Sequence, residues 1–300
     1  MPPDEGGGAG DDRAPPTIGI DLGQSVTDAV ALGPGGALLR HRALAARGRE
    51  PGTALEAALA AITDSASLAR VVGLSGGRSA ALALDERRDG HPRIVTVAEP
   101  EAIGRGGLHL SGLPAALVVS CGTGTAMVAA HAATFERPEA FEHATGTPVG
   151  GGTLRALGGL LLGSDDAEAI AALAAQGDAS RVDTTLADVL GTGLGTLPPE
   201  ATAVSLGRLA EGADPHHDVE RADLAAALVT MVAQTIAIIA VNAVRAHDLP
   251  AVVMVGRVAT LAPVRAMLEA VFRVYGASDL LHLPADGGAA TAIGAALAAR

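Results

Sequence analysis

The sequence predicts an α/β protein of two lobes that repeat one scheme. From Thr17 onward, apolar runs of period two bounded by glycine alternate with alanine-rich helical stretches. The hairpin pattern at Asp21-Leu22-Gly23 recurs at Ser120-Cys121-Gly122, with apolar runs on both sides of each. A chain of 300 residues, 49% of them hydrophobic, has the length for one large domain or two medium ones.

The elements follow in order. Residues 1–16 are rich in Gly, Pro and Asp and carry no apolar run, so they read as a disordered tail with no signal peptide. The first lobe, 17–113, takes paired strands at Thr17–Leu22 and Val26–Leu32, then a turn at Gly33–Gly36 leading into Ala37–Arg42. A helix over Ala54–Ala66 and strands at Arg70–Leu74 and Arg93–Val97 complete it, the former strand ending in Ser75-Gly76-Gly77. The second lobe, 114–283, restarts with a strand at Ala115–Ser120, a turn at Cys121–Thr125 and a return strand at Ala126–Ala130. Helices at Asp165–Gln176, Arg221–His247 and Pro263–Tyr275, and a strand at Ala251–Val255, follow. A last strand and helix occupy Leu280–Arg300, and the helix of 284–300 is expected to pack back on the first lobe.

Composition narrows the function classes. The formal charge of -12 lacks the basic clusters that nucleic acid or an anionic membrane requires. All 21 basic residues are arginines, which excludes a Walker-A lysine, a Schiff-base lysine and a lysine general base. The single Cys121 allows neither an internal disulfide nor a multi-cysteine zinc site and fits a reducing, cytoplasmic setting. Leu224–Val244 has no charge and about the ~20 residues that span a bilayer. Thr230, Gln234, Thr235 and Asn242 interrupt it, so it is read as a buried core helix.

Glycine turns place backbone N–H groups toward an anion with no side chain in the way, and such a nest needs no lysine. Gly23-Gln24-Ser25 and Gly122-Thr123-Gly124-Thr125 are two candidates, the second adding two hydroxyls. Either alone is best read as an ordinary tight turn; two in equivalent places favour a nucleotide site. Gly150-Gly151-Gly152-Thr153 directly precedes the helical stretch Leu154–Leu162, which predicts free N–H groups and a positive helix end facing a phosphate. Gly256-Arg257 follows a strand and precedes a helix, where α/β proteins place ligands, and it is also readable as a plain turn. Asp286-Gly287-Gly288 carries the same two readings. Candidate acids and bases are Asp21, a Mg²⁺ ligand beside the first turn, and Glu99 and Glu101, which serve either a proton transfer or a dipole-favoured helix start around Pro100. His41 and His216-His217 lack metal spacing and are read as surface residues.

These residues resemble type II pantothenate kinases, members of the acetate and sugar kinase, Hsc70 and actin superfamily. The resemblance runs from Thr17 to Leu297 and is carried by GTPVGGGTLRALGGLLLG at Gly146–Gly163, LAAQGDASRVDTTLADVL at Leu173–Leu190, IGIDLGQS, VSCGTGTA, VVMVGRVA and DGGAATAIGAAL. It implies a duplicated actin-like ATPase (ribonuclease H-like) fold, each lobe a mixed five-stranded sheet, with ATP in a cleft between the lobes. It further implies Mg²⁺ at Asp21, Glu99 as catalytic base and the γ-phosphoryl moving to the hydroxyl of pantothenate. A homodimer at the first step of coenzyme A synthesis completes the implied picture. Three positions depart from the family pattern: Gly23-Gln24-Ser25 with Asp28 replace Gly-Gly-Thr followed by lysine, His143 stands where an arginine helps hold substrate or phosphate, and Arg257-Val258 follow the glycine of the adenosine motif. Arg155 and Arg105 are the expected compensating cations. The alternatives are a weakly catalytic regulator that binds nucleotide or acyl-coenzyme A, and a kinase for a sugar or another small alcohol.

Overall fold

The computed structural model of the chain describes residues 15–63, 71–82, 92–135, 138–212, 214 and 217–300. The tail through residue 14 and His216 lie outside the described residues. Two compact units emerge, one running to Gly106 and taking back Thr291–Arg300, the other spanning Gly107–Ala290.

In the first unit, β1 (Thr17–Leu22), β2 (Val26–Leu32) and β3 (Leu38–Ala45) form an antiparallel meander. Helix α1 (Pro51–Ile62) then leads to β4 (Val71–Ser75) and β5 (Arg93–Thr96), both parallel to β1, giving the sheet order β3-β2-β1-β4-β5. Helix α1 begins three residues before the expected Ala54, because Pro51 suits a first helical turn. It stops at Ile62, where Thr63 turns extended and its hydroxyl donates to Leu59 O. Ile18, Ile20 and Leu22 point to one face of the sheet and bury against Ala54, Leu55, Ala58 and Ile62 of α1. On the opposite face Gly19 and Gly73 stand side by side in register. A Cβ on either would overlap the main chain at Ala292 or Ala295, so two glycines make the flat floor on which the last helix lies.

The second unit repeats the scheme after α2 (Glu99–Ser111), within which the unit boundary falls. Strands β6 (Ala115–Cys121), β7 (Thr125–His131) and β8 (Ala140–Thr147) form its meander. Strand β8 was not expected from the sequence; Glu142 and His143 break the apolar pattern because this edge strand exposes them. Next come α3 (Gly151–Leu162), α4 (Ala167–Ala174), the pair β9 (Thr184–Thr185) and β10 (Thr202–Val204) around α5 (Leu186–Leu190), then α6 (Gly207–Ala210) and α7 (Arg221–Ala246). Strand β11 (Val252–Val255), short α8 (Arg257–Thr260), α9 (Ala262–Val274) and β12 (Leu281–His282) close the sheet as β12-β11-β6-β7-β8. The final helix α10 (Ala290–Ala298) supplies Ala292 and Ala295 to the first unit.

Helix α7 is long and apolar enough to cross a membrane, with a mean hydropathy of 2.3 in its most apolar window, yet 72% of that window is buried inside the protein. Leu117, Val119, Cys121 and Met127 of the sheet share one core with Leu228, Val232, Ile236 and Val241 of this helix. Its near-lack of charge follows from being covered on most sides by α3, α4 and α9.

Candidate functional site

In the first unit, the inward set of Ile18, Ile20 and Leu22 leaves Asp21 on the opposite face of β1. Asp21 pairs in register with Asp28 of β2 and with Ser75 of β4, so three polar side chains stand abreast. Asp28 is buried and accepts from His41 Nε2 at 2.7 Å. His41 is therefore half-buried and partnered, which corrects its reading as a surface residue. Ser75 Oγ is wholly buried and meets no hydrogen-bond partner among the described residues.

The strand β4 ends on Gly76 at φ +95°, a conformation that glycine adopts at little strain. A Cβ there would overlap Asp21 Oδ1 and the main chain of Leu22, so the Asp21 carboxylate lies directly on the Gly76 backbone. The next residue, Gly77, faces Glu99: a Cβ on it would stand 3.8 Å from Glu99 Oε2. Glu99 is exposed and opens α2, with Pro100 in the first turn. The helix-start reading of this segment is observed, and it leaves the Glu99 carboxylate, which the helix dipole favours, beside the Gly76-Gly77 turn. Sequence reasoning noted these two glycines without making them site residues. The available signal was their place after a strand, the same place that Gly256 holds.

In the second unit, Gly122-Thr123-Gly124 is a three-residue turn closed by Gly122 N–H donating to Gly124 O at 2.9 Å. The start of α3 lies against it: Gly151 N–H donates to Gly122 O and Gly152 N–H to Thr123 O, each at 2.8 Å. A Cβ on Gly150 would stand 2.8 Å from Thr123 O and 2.9 Å from the Gly124 main chain. The glycine run is thus required by backbone packed on backbone. Two of its amides serve the neighbouring turn, a correction to the expectation of free N–H groups at 151 and 152. Thr125 is likewise committed, its buried hydroxyl donating to Val149 O at 2.9 Å, while Thr153 Oγ1 donates to Pro148 O at 3.3 Å. Gly256 at φ +87° closes over the main chain of Cys121, and its N–H donates to Gly287 O at 2.8 Å. The turn, the start of α3, Gly256-Arg257 and Gly287-Gly288 therefore converge at the C-terminal ends of β6 and β11, where open α/β sheets bind ligands.

The expected cations are engaged elsewhere. Arg155 donates to Asp165 O at 2.8 Å and pairs with its carboxylate at 3.4 Å, and Arg105 pairs with Glu101 at 2.9 Å. His143 is exposed on β8, with Nε2 3.6 Å from where a Cβ on Gly146 would stand. Gln24 is exposed at the tip of the β1–β2 turn, and Ser25 O accepts from Ala46 N–H at 3.0 Å. Burial pushes the Cys121 thiol up to about 12, so it is a neutral core side chain with no nucleophilic role. Burial also raises Asp183 above the usual carboxylate range, against hydrogen bonds from Leu206 N–H and the Thr202 hydroxyl.

Two five-stranded sheets of one order, each with a glycine turn after its first strand and a second glycine closing over that strand, define an actin-like ATPase fold. Solved structures agree. The activator of the 2-hydroxyisocaproyl-CoA dehydratase from Clostridium difficile, with bound ADPNP, matches at a TM-score of 0.60 and 17% identity over 95% of this chain and 94% of that one. A ROK family glucokinase from Streptomyces griseus, in complex with glucose and AMPPNP, matches at 0.53 and 17% identity over 95% and 99%. At such identity both likenesses describe the fold.

Within that class, the family model named Fumble matches residues 111–280, more than half of the chain. The chain belongs to the Fumble family, that of the type II pantothenate kinases. A type II pantothenate kinase from Oceanobacillus iheyensis is 29% identical over 189 residues, which cover 61% of this chain and 65% of that protein.

Proposed function

We propose that the protein transfers the γ-phosphoryl group of ATP to the primary hydroxyl of pantothenate, giving 4′-phosphopantothenate for coenzyme A synthesis. One observation carries this reading: in a chain of the Fumble family, the Gly76-Gly77 turn has Asp21 against its first glycine and Glu99 beside its second. Glu99 takes the hydroxyl proton as the oxygen attacks the γ-phosphorus; the new O–P bond forms, the bond to the β-phosphate oxygen breaks and ADP leaves. The turns at 23–25 and 122–125 and Gly256-Arg257 are assigned to ATP, with the start of α3 at 150–153 shaping the second turn through its Gly151 and Gly152 amides. His143 is assigned to the substrate, and Arg155 joins it by exchanging Asp165 for a ligand anion.

Among the described residues no group of three or more His, Cys, Asp or Glu side chains is placed to hold a metal by itself. A single carboxylate beside a phosphate turn still suits Mg²⁺, which takes most of its ligands from water and phosphates. Mg²⁺ held by Asp21 would neutralise charge on the phosphoryl group in transfer. A cytoplasmic homodimer belongs to the same reading.

A second reading, a regulator that binds nucleotide or an acyl-coenzyme A without turnover, is favoured by the pairing of Arg105 and Arg155 and by buried Asp28 in the place of a lysine. One assay separates the two: the full chain with ATP, Mg²⁺ and pantothenate, followed by ADP release. Steady release that Glu99→Gln lowers by about 10²–10⁴-fold, with nucleotide affinity retained, is the expected result. Nucleotide binding with no ADP above background establishes the regulator. Turnover on a sugar panel and not on pantothenate reassigns the substrate, and an unimpaired Glu99→Gln removes Glu99 from the mechanism.

A further inference from the structure

The residue that follows the Gly76-Gly77 turn, Arg78, joins three parts of the first unit. Its main-chain N–H donates to Leu22 O at 3.3 Å, at the end of β1 where the turn 23–25 begins. Its guanidinium donates from Nη1 to Ala46 O at 3.3 Å and from Nη2 to Arg49 O. These carbonyls belong to the two ends of a tight turn, closed by Arg49 N–H donating to Ala46 O at 3.2 Å. Ala46 is buried, and its own N–H donates to Ser25 O at 3.0 Å. One side chain thus ties the glycine turn beside Asp21 and Glu99 to the loop that braces the turn 23–25.

Carbonyl acceptors leave the charge of a guanidinium intact, whereas a carboxylate cancels it. Arg105 and Arg155 each pair with a carboxylate; Arg78 is half-buried and pairs with none among the described residues. The fork also has N–H donors to spare beyond its two bonds. Its surroundings make this charge count. The same end of the sheet holds Asp21, Asp28 and Glu99, and the phosphates of a nucleotide there would add further negative charge. The chain has no lysine, so a permanent cation at this place must be an arginine. Partial burial strengthens its field, because less water screens it.

We propose that Arg78 is a positioning residue of the first unit's nucleotide site: it fixes the 46–49 loop against the turn 23–25 and sets an uncancelled positive charge beside that turn. The turn thereby favours the β- and γ-phosphates of ATP over a nucleoside monophosphate. Arg47 and Arg49, exposed on the loop that Arg78 grips, add charge of the same sign. The inference rests on the reading that the turn 23–25 holds ATP. A clamp with a structural task alone predicts something else, since its loss would weaken every nucleotide alike.

The full chain and two variants are titrated with AMP, ADP and ATP in the presence of Mg²⁺ and followed by calorimetry. Arg78→Gln keeps a hydrogen-bond donor and removes the charge; Arg78→Lys keeps the charge and removes the fork. Arg78→Gln should weaken ADP and ATP by about tenfold, the low end for a hydrogen bond to a charged group, and leave AMP within about twofold. Arg78→Lys should bind ATP within about threefold of the parent, since the charge is retained. In steady-state kinetics Arg78→Gln should raise KM for ATP and leave KM for pantothenate unchanged. Circular dichroism confirms that the variants fold, and Arg78→Met removes the same charge should Arg78→Gln not fold. Equal weakening of all three nucleotides, an Arg78→Lys as weak as Arg78→Gln, or a rise in KM for pantothenate in place of ATP overturns the assignment and leaves the nucleotide reading standing. A parent chain that binds none of the three nucleotides overturns both.

Discussion

The two units share a frame and differ in what they mount on it. In each, a three-residue turn follows the first strand, and a positive-φ glycine from a parallel neighbour, Gly76 or Gly256, closes over that strand's end. The first unit places Asp21 at this point and adds Glu99, two ionisable groups on one glycine turn. The second places Ser120 there, and its turn is braced by main-chain bonds from Gly151 and Gly152. Side-chain chemistry thus concentrates in one copy and backbone architecture in the other. The connections diverge in the same sense: among the described residues, α1 links β3 to β4, whereas five helices and a small sheet link β8 to β11.

The sharpest way to break this comparison is to exchange its equivalent positions. Asp21→Asn should lower turnover by about 10²–10³-fold, the usual loss when a group stabilising transferred charge is removed. Ser120→Ala should leave turnover within a few-fold. Steady-state kinetics of both variants decide it, and equal losses would mean that the two strand ends contribute alike.

The closing glycines come next. Gly76→Ala and Gly256→Ala each force a side chain into a positive-φ conformation, which costs about 1–3 kcal/mol before any overlap is counted. Urea melts should therefore show a similar destabilisation for both. Only Gly76→Ala also pushes on a carboxylate, Asp21, so at temperatures where both variants are folded it should reduce turnover more than Gly256→Ala does.

The sequence made the frame legible because period-two burial and glycine turns are local signals. Ile18, Ile20 and Leu22 alternate with Gly19 and Asp21, and the run Leu117-Val118-Val119-Ser120-Cys121 before Gly122 keeps its polar residue at the matching place. What stayed hidden depends on distant pairing. Gly19 and Gly73 look like weak points in two strands until α10 is laid across them. Thr125 and the α3 glycines look like phosphate donors until Val149, Gly122 and Thr123 are found as their acceptors. His41 gains meaning from Asp28, its neighbour only through the β2–β3 register.

The smallest effect tests the pair Leu22 and Cys121, which end the corresponding strands β1 and β6. Cys121 is wholly buried, and its thiol is pushed from 9.0 up to about 12 by loss of hydration. A raised folded value gives stability that is intact below pH 9 and is lost as pH rises toward 12, because the unfolded chain releases its proton first. At pH 10 the loss is about 1 kcal/mol, one unit of titration in the unfolded state alone. Cys121→Ala leaves the same void at every pH, so the difference between its urea melts at pH 8 and pH 10 should be smaller than that of the parent chain by this amount. The measurement is clean here because the chain has no lysine and one tyrosine to titrate in that window. Identical pH dependence in the two proteins would mean that water reaches the sulfur, and that the second unit's strand end is looser than the Leu22 end of the first.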